Sequence, residues 1–190
     1  MDNPGKSSLH KGLSNKQLLK EWEIVQAAQR DAAEFRPLYE RYYVPIFRLV
    51  LRRTENEEIA SELCSLVFFK ALEKIGRYTY KGVPFSAWLY RIASNEVTQF
   101  FREKKRGRVI SLDVLQLKDI AEEVEETFDE DKQKIMLEAL QDLREKDLQM
   151  VELRFFEQRS FKEIAQIMEI TENNAKVRTY RILEKIRKKF

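Results

Sequence analysis

The chain has 190 residues, enough for one large domain or two small ones, and its 11% aromatic content excludes a wholly disordered polymer. Five glycines and four prolines argue against a turn-rich all-β architecture, and a single cysteine, Cys64, excludes an intramolecular disulfide framework. The net charge is +3, and with one histidine, His10, the common His/Cys metal sites cannot be assembled, so neither metal nor cofactor is expected.

No stretch approaches the ~18 consecutive apolar residues of a membrane span. The opening MDNPGKSSLHKGLSNK has no apolar core and does not read as a secretory signal, so no membrane insertion and a cytoplasmic location are expected. Phosphate-loop, dinucleotide-binding and nucleophile-elbow strings are missing, which leaves little support for a hydrolase or a nucleotide-dependent enzyme.

Residues 1–13 read as a disordered tail. Ser14 and Gln17 then form a capping box opening a helix with Leu18, Leu19, Trp22 and Val25 at helical spacing. A second helix over 35–53 carries Leu38, Tyr42, Ile46, Leu49 and Val50 on one stripe, with Pro45 a point where it could kink. A third, over 57–75, spaces Ile59, Leu63, Val67, Ala71 and Ile75 by four, and Phe68 and Leu72 widen that stripe. Gly76, Gly82 and Pro84 punctuate a loop, and a long helix follows over 85–105. Further helical segments are expected over 132–143, 145–157, 161–168 and 172–189. No segment alternates with period two. The expectation is an all-α chain of two small helical domains, 14–106 and 135–190, joined by a linker over 107–134.

Charge follows the same division. Residues 1–106 carry 19 basic and 13 acidic residues, residues 107–134 carry 4 and 9, and residues 135–190 carry 12 and 10. Two basic segments suggest a polyanionic partner; the alternative is a pair of solvated helix faces. The acidic stretch DIAEEVEETFDED (119–131) would repel nucleic acid and reads as a flexible or weakly helical connector. Its Ile120, Val124 and Phe128, spaced by four, could become helical against a partner.

The last helical pair has the pattern of a helix-turn-helix. Ser160 caps a helix with Phe161, Ile164, Ala165 and Met168 inward; Ile170 plugs the turn; Thr171 caps the next helix, whose inner stripe is Ala175, Thr179, Ile182, Leu183 and Ile186. Its outer face presents Asn173, Asn174, Lys176, Val177, Arg178 and Arg181. Asparagine can bond adenine bidentately and arginine guanine, while other cations hold phosphates. Two amphipathic helices packed for core reasons alone remain the alternative. In FSAWLYRIASNEVTQFFREKKR (85–106), aromatic and cationic groups lie together behind the Tyr78, Tyr80, Lys81 loop. Single-stranded DNA binds such surfaces, its bases stacking on rings while cations follow the backbone. Phe85 and Trp88 could equally be ordinary core residues.

Four strings together resemble a bacterial RNA polymerase sigma factor of the extracytoplasmic-function (ECF) subfamily: FRPLYERYYVPIFRLV, LCSLVFFKALEKI, FSAWLYRIASNEVTQFFREKKR and the stretch from Leu140 to Phe190. The resemblance covers about residues 14–106 and 135–190. It implies a non-enzymatic protein that binds core RNA polymerase, reads duplex promoter DNA at −35, captures single-stranded DNA at −10, and is held in reserve by an anti-sigma factor. By position it implies polymerase contacts at Glu62, Leu63, Val67, Phe68 and Lys70. It implies −10 and melting contacts at Tyr78, Tyr80, Lys81, Phe85, Trp88, Arg91, Asn95, Gln99 and Arg102. At −35 it implies Thr171, Asn173, Asn174, Lys176, Val177, Arg178 and Arg181. The linker would thread channels of the polymerase.

Departures from the family pattern are specific. Ser65-Leu66 stands where a Gln-Glu pair is frequent, Arg144 where proline is, Gln158-Arg159 where a Gly-Leu turn is common, Asn173-Asn174 where Gly-Thr is usual, and Thr179 where leucine is frequent. If position 158 needs positive φ, glutamine costs about 1 kcal/mol there. A stand-alone helix-turn-helix regulator and a helical adaptor of the anti-sigma kind are the alternatives; the aromatic helix is the feature that a simple repressor has no need of.

Overall fold

The computed structural model describes residues 13–104, 114–124 and 130–190. Among these residues every regular element is a helix: α1 Asn15–Arg30, α2 Arg36–Thr54, α3 Glu57–Lys74, α4 Phe85–Lys104, α5 Val114–Glu123, α6 Glu130–Gln141, α7 Glu145–Val151, α8 Phe161–Met168 and α9 Glu172–Arg187. The protein is all-α, and its chain divides into two compact units, one holding α1–α4 and the other α5–α9. The tail expected over residues 1–13, apart from Leu13, lies outside the described residues, as do Phe128, Lys105 and Arg106. None of the described helices is long and apolar enough to cross a membrane.

In the first unit, local chemistry fixes where helices start and stop. The Ser14 hydroxyl accepts from the Gln17 N–H (3.4 Å) and the Gln17 side chain accepts from the Ser14 N–H (2.8 Å), so the capping box forms. Asp31 ends α1 in extended backbone and its carboxylate takes the Ala33 N–H at 2.9 Å, opening a 3-10 turn that leads into α2. α2 continues through Pro45, which removes one amide without ending the helix. Asn56 caps α3 through the Ile59 N–H at 2.9 Å, and Glu57 and Glu58 complement the positive end of that helix. Leu38, Ile46, Leu49 and Val50 of α2 are buried with Ala60, Cys64, Val67 and Ala71 of α3 and Leu89, Tyr90, Ala93 and Val97 of α4. The small side chains in that set let the three helices approach closely enough to exclude water.

The stretch read as a flexible or weakly helical connector overlaps α5, whose Leu117, Ile120 and Ala121 are buried together with Val124 just after it. α5 packs on α6 and on the turn after α7, inside the same chain rather than on a partner. Leu117, one turn ahead of Ile120, is the residue that completes the stripe. After α7 the backbone widens into a π-helical turn over Glu152–Phe156, closed by the Glu157 N–H to the Glu152 carbonyl at 2.9 Å. Gln158 then takes φ 50°, the left-handed conformation in which glycine costs nothing. α8 opens on a second capping box, Ser160 with Glu163, and closes on Glu169 at φ 56°. Thr171 caps α9 through the Asn174 N–H at 3.2 Å. Ala175, Thr179, Ile182, Leu183 and Ile186 are buried beneath it, and the Thr179 hydroxyl is satisfied by the Ala175 carbonyl at 2.9 Å.

Candidate functional site

The aromatic helix α4 begins against a buried carboxylate. Glu21 of α1, 3% exposed, accepts the Phe85 N–H at 2.6 Å, the Tyr42 hydroxyl, and an Arg41 guanidinium N–H at 3.2 Å. A negative charge at the open amides of a helix N-terminus is the favourable placement. It fixes the point from which α4 leaves the loop.

Around that point the expected −10 residues separate into two groups. Phe85 is 1% exposed, with its ring against Phe35, Tyr42, Tyr78 and Trp88 at centroid distances of 6.4, 6.4, 5.1 and 5.3 Å. It is a core residue and not a base-stacking ring: a phenyl group enclosed by four other rings loses too much apolar burial to turn outward. Tyr78 and Trp88 are half-buried, 5.0 Å apart, and burial pushes the Tyr78 hydroxyl up to about 12. Tyr80 stacks on Trp22 of α1 at 5.9 Å and 20°, and Lys81 beside it is exposed. Trp88, Arg91, Asn95, Gln99 and Arg102 follow one another at three- and four-residue steps, so they share one face of α4. Asn95, Gln99 and Arg102 are exposed there, and the Gln99 amide bonds Glu103 at 2.7 Å. Rings at the base of the helix and cations and amides along it make one continuous surface.

The α3 candidates sit differently from expectation. Glu62 is exposed, but Leu63, Val67 and Phe68 are buried, and Lys70 is held by both oxygens of Glu96 on α4 at 2.7 Å. Leu63, Val67 and Phe68 pack inward, because the helix is turned so that its other side faces out, and Lys70 is half-buried. The exposed apolar strip is Leu66, Phe69 (64% exposed) and Leu72. Phe68 meets Tyr39 and Tyr43 of α2 at 4.9 and 6.2 Å, and Tyr39, Tyr43 and Phe47 form a row of rings 5.3 and 5.9 Å apart. Tyr39 is exposed, which extends the apolar surface onto α2. α3 is apolar around most of its circumference, so periodicity alone does not choose its buried side.

On α9 the residues Asn173, Asn174, Lys176, Val177 and Arg181 are exposed, with Lys176 within 3.1 Å of Glu172. Thr171 is also exposed, and its hydroxyl serves as the cap already described. Arg178 points the other way. Its Nε and Nη2 lie 2.9 and 2.7 Å from one carboxylate oxygen of Asp147 on α7, so it braces the helix pair instead of presenting a free guanidinium. Tyr180, 59% exposed, joins the outer face and leans on Phe161 at 6.5 Å; its place next to the buried Thr179 gave no helical-stripe signal.

The sigma-70 region 2 family model matches residues 38–107, and the sigma-70 region 4 model matches residues 133–186. Together the two matches take in α2–α4 and α7–α9, the helices that carry all three surfaces. The chain belongs to the sigma-70 family. It is a sigma factor of the ECF kind. It is 32% identical to the ECF RNA polymerase sigma factor BldN of Streptomyces coelicolor over 84% of this chain, and spans 61% of that relative's length. It is 28% identical to the RNA polymerase sigma factor SigZ of Bacillus subtilis, covering 76% of this chain and 80% of the relative. A solved RsbN–BldN complex contains a chain 26% identical, covering 85% of this sigma factor and 96% of that chain, at a TM-score of 0.38. Both α1 and α5 lie outside the two region matches.

Proposed function

We propose that this sigma factor docks on core RNA polymerase through the exposed strip of α3, reads duplex DNA at −35 with α9, and captures unstacked non-template bases at −10 with α4 and the loop before it. The observation that carries the reading is the α4 surface, where half-buried rings at one end meet exposed amides and cations along one face. A base leaving the duplex loses a few kcal/mol of stacking, and a ring that receives it returns about 1–3 kcal/mol. Tyr80 and Trp88 are the receiving rings, Lys81, Arg91 and Arg102 the phosphate partners, and Asn95 and Gln99 the polar groups that meet base edges. On α9, Asn173 and Asn174 face bases, Lys176 and Arg181 hold phosphates, and Val177 with Tyr180 offers apolar contact for a thymine methyl.

Polymerase binding falls to Glu62, Leu66, Phe69 and Leu72, with Tyr39 alongside. A strip of this kind invites burial, and a large exposed ring at its centre is the usual anchor of a protein interface. When polymerase is absent the same strip is where an anti-sigma factor would lie. The chain supplies binding and positioning; bond-making belongs to the polymerase. The acidic segment ahead of α6 is suited to a basic channel, with α5 as its folded end.

The test is transcription in vitro from genomic fragments by core polymerase with and without the purified chain. Discrete start sites that require the chain are expected. Absence of any chain-dependent start, together with tight duplex binding by the chain alone, would instead mark a stand-alone helix-turn-helix regulator.

A further inference from the structure

The loop that carries Tyr78, Tyr80 and Lys81 is tied down by α1, an element outside both region matches. Three residues of α1 do this at three points. At the start of the loop, the Gln29 amide donates to the carbonyls of Ile75 and Tyr78 at 2.9 and 2.8 Å, using both of its hydrogens. The Ile75 carbonyl also takes the Tyr78 N–H at 2.9 Å, in the single turn that follows α3, so Gln29 ties that turn to α1. In the middle, the Trp22 ring stacks on Tyr80 at 5.9 Å and tilts against Tyr78 at 6.1 Å. At the end, Glu21 holds the first amide of α4 at 2.6 Å. Glu21, Val25 and Gln29 are four residues apart, and Trp22 is seven before Gln29, so one side of one helix makes all three contacts.

We infer that α1 is the positioning element for −10 capture, with Trp22 and Gln29 setting the loop so that Tyr80 is presented ready to stack. This rests on the reading of Tyr80 as a base-receiving ring. With the Tyr80 ring held beside Trp22 at 5.9 Å and 20°, the ring is already ordered and loses less freedom when a base arrives. Without α1's contacts the loop samples other conformations, and apparent affinity falls by the fraction of time it is correctly placed. Trp22 and Gln29 touch no DNA in this account; they act through Tyr80 and the loop backbone.

The test uses the full chain bound to core polymerase and a fluorescent single-stranded oligonucleotide selected from a randomised pool by the wild-type holoenzyme. Gln29→Met keeps the bulk of the side chain and removes both hydrogen bonds; Trp22→Ala removes the stack, and Trp22→Tyr restores a ring. Affinity for core polymerase is measured in parallel for each variant. Gln29→Met and Trp22→Ala are expected to weaken oligonucleotide binding by roughly five- to thirtyfold. Core binding should stay at the wild-type level, and Trp22→Tyr should recover most of the loss. Should Trp22→Ala fail to fold, Gln29→Met decides. Wild-type oligonucleotide affinity in Gln29→Met and Trp22→Ala, with a loss in Tyr80→Ala, would overturn the role of α1 and leave −10 capture standing. Losses in core and oligonucleotide binding that move together would also overturn it, because α1 would then be only a structural support. No loss in Tyr80→Ala itself would remove the −10 reading on which the inference depends.

Discussion

Arg178→Ala separates a DNA-reading arginine from a bracing one. Arg178 places two nitrogens 2.9 and 2.7 Å from Asp147 Oδ1, with side chains 30% and 11% exposed, and Lys185 stands 3.9 Å from the other oxygen. A hydrogen bond between charged groups contributes about 1.5–3 kcal/mol when water is excluded, and an exposed pair less than about 1 kcal/mol. This pair lies between those limits. Asp147 is also in the first turn of α7, where the helix dipole continues to favour its charge after the arginine is gone. The expected destabilisation of the second unit is therefore about 1–2 kcal/mol. Asp147→Asn should cost a similar amount, and the double variant little more than either single one, because each single change already breaks the contact. Urea unfolding followed by amide exchange in α7–α9 measures stability, and filter binding of holoenzyme to duplexes altered at −35 measures recognition. Loss of −35 discrimination in Arg178→Ala with unchanged exchange protection would refute the bracing role and return the residue to the DNA surface.

Gln158→Gly should stabilise the second unit by about 1 kcal/mol, since a side chain at φ 50° carries a steric cost that glycine lacks; thermal unfolding reports it. Phe69→Ser should leave stability within about 0.5 kcal/mol, because the ring is 64% exposed, while weakening core polymerase binding by about 2 kcal/mol in a titration of labelled chain. The first unit should lose stability in alkali. Burial raises the Cys64 thiol and the Tyr78 hydroxyl to about 12 each and moves Tyr42 upward too, so the folded state keeps protons that the unfolded chain releases. The stabilisation is complete below about pH 8.5, the unfolded thiol value, and is lost as pH rises towards about 12. Cys64→Ala with Tyr78→Phe should shift the midpoint of alkaline unfolding upward, as followed by circular dichroism.

Helix positions were legible where local chemistry sets them. Ser14 with Gln17, Ser160, and Thr171 each announce a helix start in a few adjacent residues, and each accepts the amide expected of a cap; the return bond from Glu163 to Ser160 was not foreseen. Gln158 stood out only through the family resemblance, in which a Gly-Leu turn is common at that place, and the backbone there does take φ 50°. What could not be read depends on partners distant in sequence. Lys70 is drawn to Glu96, 26 residues away, and Arg178 to Asp147, 31 residues away, so neither presents the free cation that its helix position suggests. Phe85 lies at the base of an aromatic–cationic helix, but four surrounding rings enclose it. α3 has apolar residues on nearly every side, and only the packing of α2 and α4 against it leaves Leu66, Phe69 and Leu72 outside. The contacts of Trp22 and Gln29 with the loop have no local signature at all.

Permanganate reactivity of unpaired thymines, on a duplex promoter bound by holoenzyme, reports whether α4 and its loop receive bases pulled from the duplex. With the wild-type chain, thymines near −10 should react. With Tyr80→Ala and Trp88→Ala together, polymerase binding and protection at −35 should persist while that reactivity disappears. Undiminished reactivity in the double variant, or loss of polymerase binding along with it, would contradict the account.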